Sequence, residues 1–353
     1  MGHGMSVLKN PGVLSALVAA LLFGIGTPGA KLLLGPVSPW LLAGLLYLGS
    51  GLGLALLWSW RQRKEAAPVR LSQAEIKWLT GAIIAGGVIA PVLLMWGLSR
   101  MTASTVALLL NAEGVLTALL AWFVFGESFD RRIAFGMALI VLGSIVLTWA
   151  NDASFNSALP TLAIVGACLG WAIDNNLTRK VALADATFIA MIKGLVAGTA
   201  NITLAWLLGT TLPQPSVLLA AGTIGFLSYG LSLVLFVVAL RHLGTARTGA
   251  YFSTAPFVGA LLAIPLLGES LSIQFVVAAL LMATGVWLHL TERHEHWHIH
   301  EELEHEHEHM NDDHHQHARS EPIIGPHTQR HHHKALTHSH PHYPDAHHRH
   351  DHE

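Results

Sequence analysis

Up to residue 290 the chain is a succession of apolar stretches, each about 18–25 residues long, separated by short polar clusters. A helix of that length can cross a hydrocarbon core roughly 30 Å thick, so the pattern predicts membrane-spanning helices rather than the half-buried helices of a soluble bundle. Ten are readable, over residues 12–34, 39–60, 76–98, 103–125, 133–150, 159–178, 187–208, 217–239, 248–267 and 273–290. Trp40, Trp58, Trp60, Trp78, Trp149, Trp206 and Trp287 fall near their ends, the depth that amphipathic rings prefer. Beyond residue 290 the apolar stretches stop and a tract of His and Glu begins.

The fourth and fifth stretches recur. Residues 98–148 can be laid without a gap on residues 240–290, 142 positions further on. The turn Gly126-Glu127-Ser128 then falls on Gly268-Glu269-Ser270, Ala118 and Ala121 on Ala260 and Ala263, Leu139 on Leu281, and Gly143 on Gly285. In each turn the Gly suits the C′ position of one helix and the Ser suits the N-cap of the next. The Glu between them favours the positive start of that next helix, an architectural role. The chain reads as a duplication, with one five-span repeat in residues 1–150 and a second in residues 151–290. Five is odd, so the second copy crosses the membrane upside down relative to the first. Inverted repeats place a substrate site near the midplane, where the two copies meet, and let the halves rock about it.

Orientation follows from the short loops. Lys9, Arg61, Arg63, Lys64, Arg70, Lys77, Arg131, Arg132, Arg179, Lys180, Arg241 and Arg247 share one side, against Arg100 alone on the other. Positive charge stays inside, and ten crossings return the tail to the side of the N-terminus. The expectation is an all-α integral membrane protein of ten transmembrane helices. It lies in a bacterial-type cytoplasmic membrane with both termini cytoplasmic, and ends in a disordered His-rich tail over residues 291–353.

Composition separates the two parts. Of the 22 acidic residues 9 precede residue 291, and of the 24 histidines only 3 do, so the net charge of −2 averages over two different environments. No nucleic-acid partner follows from it. The single cysteine, Cys168, lies inside an apolar stretch and is expected in the core. No nucleophile constellation, phosphate loop or cofactor fingerprint points to an enzyme, and no cofactor is required. A homodimer is compatible with the pattern.

Ionisable residues at membrane depth are rare and usually face the bundle interior or a watery path. Three qualify: Glu113 in the fourth stretch, Asp174 near the inner end of the sixth, and Lys193 about two turns into the seventh. Their repeat partners Ala255, Gly26 and Leu46 carry no charge, so the site is asymmetric. Asp174, Asn175 and Asn176 form a polar triplet after Trp171. They make either a hard-oxygen site for a cation or a wetted helix end with Arg179 or Lys180 as partner. Glu113, flanked by Val106, Leu109, Leu110 and Leu116, is either a switching carboxylate of a proton-coupled exporter or the structural partner of Lys193. A charged Lys193 repels a cation and would meet the carboxylate of an anionic or zwitterionic substrate. The expected transport path is Glu113, Asp174, Asn175, Lys193 and Trp171. Gly194 and Gly198 are spaced for close helix packing. Pro28, Pro91, Pro256 and Pro265 interrupt spans, and Pro256, opposite Gly114 in the repeat, points to a broken helix.

The tail carries the strongest chemical signal. Its histidines include His294, His296, His298, His300, His305, His307, His309, His314, His315, His317, His331, His332 and His333, interleaved with carboxylates. Neutral imidazole is the commonest ligand for Ni, Co, Zn and Cu, so the tail is expected to bind such ions as a flexible multisite tether.

Two five-span repeats, each with a Gly-Glu-Ser turn between its fourth and fifth helices, and Trp171-Ala172-Ile173 in the sixth span, resemble the EamA-domain transporters of the drug/metabolite transporter superfamily. The first span reads Phe23-Gly24-Ile25-Gly26-Thr27-Pro28 where a Trp-Gly-x-Asn-Phe type of pattern is more usual. A His-rich extension on such a carrier resembles the branch associated with nickel and cobalt resistance. The resemblance implies a proton-coupled efflux carrier for a divalent metal, Ni or Co first, or else an exporter of amino acids or other small metabolites with a metal-responsive tail.

Overall fold

The computed structural model describes residues 11–62, 71–125, 131–149, 155–181 and 184–290, and in the tail residues 295–300, 303–309, 327–333 and 336–341. The chain divides into a helical unit, Met1–Glu292, and a second unit that begins at Arg293.

In the helical unit the apolar stretches fold as α1 (Pro11–Leu33), α2 (Pro39–Gln62), α3 (Gln73–Leu98), α4 (Ala103–Leu109 and Ala112–Phe125), α5 (Arg131–Thr148), α6 (Phe155–Arg179) and α7 (Ala186–Leu207). They continue as α8 (Pro215–Ile224, Gly225–Leu231 and Ser232–Phe252), α9 (Ala255–Leu267) and α10 (Ile273–Leu290). Among the described residues, 7 helices are long and apolar enough to cross a membrane, and further apolar helices are shorter. Their surfaces are inverted relative to a soluble protein. Leu56, Phe123, Leu219, Leu261 and Leu280 are exposed, while Asn111, Asn176, Asn201, Ser228 and Lys193 are buried. Only an apolar solvent rewards that arrangement.

The two repeats interlock rather than sit side by side. α2 packs on α7 and α5 on α10, while α1 reaches across to α8 and α9, and α6 to α3 and α4. Small residues set the α2–α7 approach: a Cβ on Gly194 or Gly198 would run into the backbone of Gly51 or Leu48. Gly143 and Gly285 do the same between α5 and α10.

Two distortions recur in the two repeats. Within α3, Ile83–Ile89 is wound as π-helix, and within α8 Gly225–Leu231 is too, the two starts being 142 residues apart. A π segment is rare and tends to mark a functional site, because one extra residue in the turn redirects both carbonyls and side chains. α4 is broken at Leu110 and Asn111, where the Asn111 amide donates to Leu108 O at 2.9 Å. The counterpart break, one residue beyond the repeat offset, is at Ser253 and Thr254, where the Ser253 hydroxyl donates to Gly249 O at 2.8 Å. Pro256 follows in the first turn of α9, where its missing N–H costs nothing, as its place opposite Gly114 led one to expect.

Several expectations need correction. The fourth stretch is not one unbroken helix but two segments. The eighth and ninth are not parted at residues 240–247: the helix Ser232–Phe252 runs through them. Their charged cluster reads as a loop, yet charge does not break a helix, and Gly244 alone opposes it by about 1 kcal/mol. α10 is capped by Ser272, whose hydroxyl accepts from Phe275 N at 3.0 Å, rather than by Ser270. Gly268 does close α9 in the left-handed conformation, φ 64°. The matching turn at residues 126–128 lies outside the described residues.

The tail, expected to be disordered, contains paired strands: β1 (Glu295–His300) antiparallel to β4 (Leu336–Pro341), and β2 (Leu303–His309) to β3 (His327–His333). Alternation of His with Glu over Leu303–His309 has the two-residue period of a strand, which low complexity obscured. His305 pairs in register with His331, His309 with His327, His296 with His340 and His298 with His338. His300 also lies in β1, His307 in β2, and His332 and His333 in β3; His294, His314, His315 and His317 lie outside the described residues.

Candidate functional site

Glu113, Trp171, Asp174, Asn175 and Lys193 come together around one cavity, and a neighbouring pocket shares Glu113 and Asn175 with it. Each is delivered by a different local device. Glu113 sits on the turn that follows the break in α4. Asp174 and Asn175 occupy the last turns of α6. Lys193 lies on α7, fully buried because the small face of that helix is pressed against α2.

The charges are not paired as the sequence suggested. Lys193 Nζ donates to Asp174 Oδ1 at 2.5 Å and to Thr178 Oγ1 at 3.1 Å, and the Thr178 hydroxyl in turn donates to the same carboxylate oxygen at 2.7 Å. Asp174 and Lys193 are 5% and 2% exposed, so neither charge would be tolerated without the other. Of the readings the sequence left open, the one that pairs Glu113 with Lys193 is therefore replaced: Lys193 is the ion-pair partner of Asp174. Sequence spacing could not disclose this, because a helix reversal separates the partners. Glu113 instead accepts from the Asn175 side-chain amide at 2.8 Å, and part of its surface stays open to the cavity. Asn176 turns away, donating to Thr117 O and Ala172 O.

The π segments complete the walls in two ways. In α3, Gly86 O is free of the helix ladder and accepts from both Tyr47 Oη and Trp171 Nε1, each at 2.9 Å, while Gly87 O accepts from the Asn201 amide at 2.9 Å. Gly86 has to be glycine, because a Cβ there would coincide with the Asp174 carboxylate. In α8 the corresponding positions are Ser228 and Tyr229, whose side chains face the cavity. Aromatic rings supply the rest. Phe23 of α1 meets Trp171 edge-on at 5.9 Å, Tyr229 at 5.8 Å and Phe252 at 5.1 Å between centroids. Tyr47, Ser228, Tyr229 and Phe252 went unnoticed in the sequence, and Phe23 was read only as part of the first-span pattern. The Ser228-Tyr229 pair, two polar tips amid an apolar stretch, was the available signal. Cys168 is buried in the core, as expected, against Leu109 O.

At the far end of the bundle Glu269 also departs from expectation. It serves α4 of the other repeat rather than the start of α10: Ala103 N donates to Oε1 at 2.6 Å and Ser104 N to Oε2 at 2.9 Å. Beside it, Lys31 Nζ donates to Leu98 O at 2.6 Å and Met101 O at 2.7 Å. Glu127 lies outside the described residues. Among the described residues no three His, Cys, Asp or Glu side chains group so as to hold a metal ion.

A polar, aromatic-walled cavity enclosed by two interlocked helical repeats, with lipid-type surfaces outside, defines a membrane carrier. The EamA-like transporter family model matches twice, over residues 10–149 and 159–291, and the chain belongs to that family. An "Uncharacterized transporter" of Methanothermobacter thermautotrophicus is 28% identical over 295 residues, covering 78% of this chain and 85% of that protein. A "Probable amino-acid metabolite efflux pump" of Salmonella typhimurium is 25% identical over 207 residues, 54% of this chain and 68% of that protein. A solved crystal structure superposes with a TM-score of 0.63 at 18% identity, covering 80% of this chain and 99% of its own, which is a likeness of fold.

Proposed function

We propose that this transporter exports a small organic metabolite bearing an ammonium group, of the amino-acid kind, by alternating access between its two repeats. The observation that carries the reading is the distribution of charge in the cavity. Lys193 and Asp174 neutralise each other, whereas Glu113 faces the cavity and, among the described residues, takes a neutral amide as its side-chain partner. A substrate ammonium can satisfy that carboxylate while its apolar part lies against Phe23, Phe252 and Tyr229, whose ring faces also favour a cation. A proton can satisfy it equally well, so the carboxylate would exchange one for the other and couple export to proton entry. The name of the Salmonella relative supports the same substrate class.

The remaining finer expectations enter on the same footing. Ten crossings, a cytoplasmic membrane and cytoplasmic termini rest on the lengths of the apolar stretches and the twelve-to-one asymmetry of loop charge. The divalent-metal reading rests on the tail alone. There the register that sets His305 against His331 and His298 against His338 supports an appendage that binds Ni, Co, Zn or Cu and responds to it.

The test is release of amino acids from bacteria fed dipeptides, with nickel content measured in parallel. Cells making the chain should release more amino acid than cells lacking it, with Glu113→Gln lowering the excess at least tenfold at equal membrane yield. No excess release together with a lower nickel content would refute this reading in favour of metal export.

A further inference from the structure

The two repeats are held in different conformations at one place. In the first, α3 ends at Leu98, residues 99–102 form a turn, and α4 begins at Ala103. In the second, the corresponding residues 241–244 continue as helix within Ser232–Phe252. The backbone groups exposed by the turn in the first repeat are taken up by side chains from elsewhere. Thr102, the local cap position, makes no cap bond and turns its hydroxyl to Thr105 at 2.7 Å. Glu269, from the turn between α9 and α10, accepts the N–H groups of Ala103 and Ser104, and Lys31 of α1 donates to the carbonyls of Leu98 and Met101. Glu269 from the second repeat and Lys31 from α1 of the first thus hold the α3–α4 turn by its backbone.

The position of the cavity gives this contact a direction. On α4 its lining begins at Leu110, two turns past the Glu269 contact, and runs on through Glu113 and Thr117. Between the two lie Val106, Ala107, Leu108 and Leu109, all essentially inaccessible. The end of the bundle that carries Glu269 is shut.

We infer that Glu269 is the latch of the outer gate. Its carboxylate fastens the start of α4 to the α9–α10 turn while the cavity is closed on that side, and letting go of Ala103 N and Ser104 N is the step that opens it. The inference rests on the alternating-access part of the reading above and on its orientation, and not on the identity of the substrate. An inter-repeat hydrogen bond to main chain serves a gate well, since it can be exchanged for water on opening without leaving a buried charge.

Labelling of a single cysteine tests it without any substrate. In the full-length chain carrying Cys168→Ala, so that no other thiol is present, Ser104→Cys places a near-isosteric thiol where the serine is 5% exposed. Intact cells are treated with a membrane-impermeant maleimide. Labelling should be slow with Glu269 in place and about tenfold faster with Glu269→Ala, Glu269→Gln lying between because it keeps one acceptor. Thr102→Ala, which touches no latch bond, should leave the rate within twofold. Should Glu269→Ala reach the membrane poorly, Glu269→Gln alone decides, at an expected threefold or more. Unchanged labelling in the Glu269 variants, or an acceleration seen only in inverted membrane vesicles, overturns the latch. Failure of amino-acid release with intact latch behaviour would count against the substrate reading alone.

Discussion

The same distortion appears in both halves of the helical unit and is put to opposite uses. In α3 the π segment carries Gly86 and Gly87, so what it presents is backbone: carbonyls for Tyr47, Trp171 and Asn201. In α8 it carries Ser228 and Tyr229, so what it presents is side chain. The break in α4 and the one between α8 and α9 divide in the same manner. One is followed by Glu113, the other by Ala255 and Pro256. Duplication fixed where the backbone departs from an α-helix, and the residues at those points then diverged. A carrier benefits from that division. Its two gates must be interchangeable in shape, whereas a single set of charges has to serve both directions of opening.

The largest effect should come from giving the backbone-presenting π segment a side chain. Gly86→Val would drive a side chain into the Asp174 carboxylate and part it from Lys193, stranding a buried ammonium at a cost of about 3–5 kcal/mol. Little monodisperse protein should survive detergent extraction and mild heating. Ser228→Ala, at the matching position, loses only a hydroxyl and should cost about 1 kcal/mol. Equal losses from the two substitutions would remove the distinction between a backbone-presenting and a side-chain-presenting segment.

Next in size is the choice of partner for Lys193. Lys193→Met alone leaves Asp174 buried and unpaired, and should destabilise by about 3 kcal/mol. Adding Asp174→Asn neutralises that carboxylate while keeping an acceptor for Thr178, so most of the loss should return. Adding Glu113→Gln instead should recover nothing. Melting temperatures of the three variants in one detergent decide between the pairings, and rescue by Glu113→Gln would restore the pair expected from sequence.

Much of the fold was legible for a simple reason. Membrane helices announce themselves by length and apolarity, and a gapless repeat of fifty residues announces the duplication. The candidate site was legible only as the inward position of Glu113, Asp174 and Lys193, because placing any of them in lipid is expensive. Its wiring was not. Asp174 and Lys193 lie on different helices, and only the angle between α6 and α7 brings them to 2.5 Å in preference to Glu113. The π segments stayed hidden because one extra residue in a turn of Ile, Ala and Gly leaves the apolar pattern unchanged. Continuity of the helix through residues 241–247 was masked by charge, and the tail strands by low complexity, although the alternation in Leu303–His309 was in plain view.

The smallest expected effect concerns the two helix breaks, whose stabilising side chains differ. Asn111 gives one amide hydrogen to Leu108 O and has a further contact to the Met282 sulfur, but its own carbonyl oxygen is buried without a partner. Ser253 gives its hydroxyl to Gly249 O and lines the cavity, where its remaining capacity can be hydrated. Ser253→Ala therefore removes a bond and nothing unfavourable, for a loss of about 1 kcal/mol. Asn111→Ser keeps a donor for the preceding turn and removes the unsatisfied oxygen, whose burial costs about 1–3 kcal/mol, against the loss of packing around a smaller side chain. The two terms nearly cancel, so Asn111→Ser should move the melting temperature less than Ser253→Ala does. A larger fall for Asn111→Ser would mean that the break in α4 depends on the shape of the asparagine rather than on its hydrogen bond. The two repeats would then hold their breaks open by different physical means.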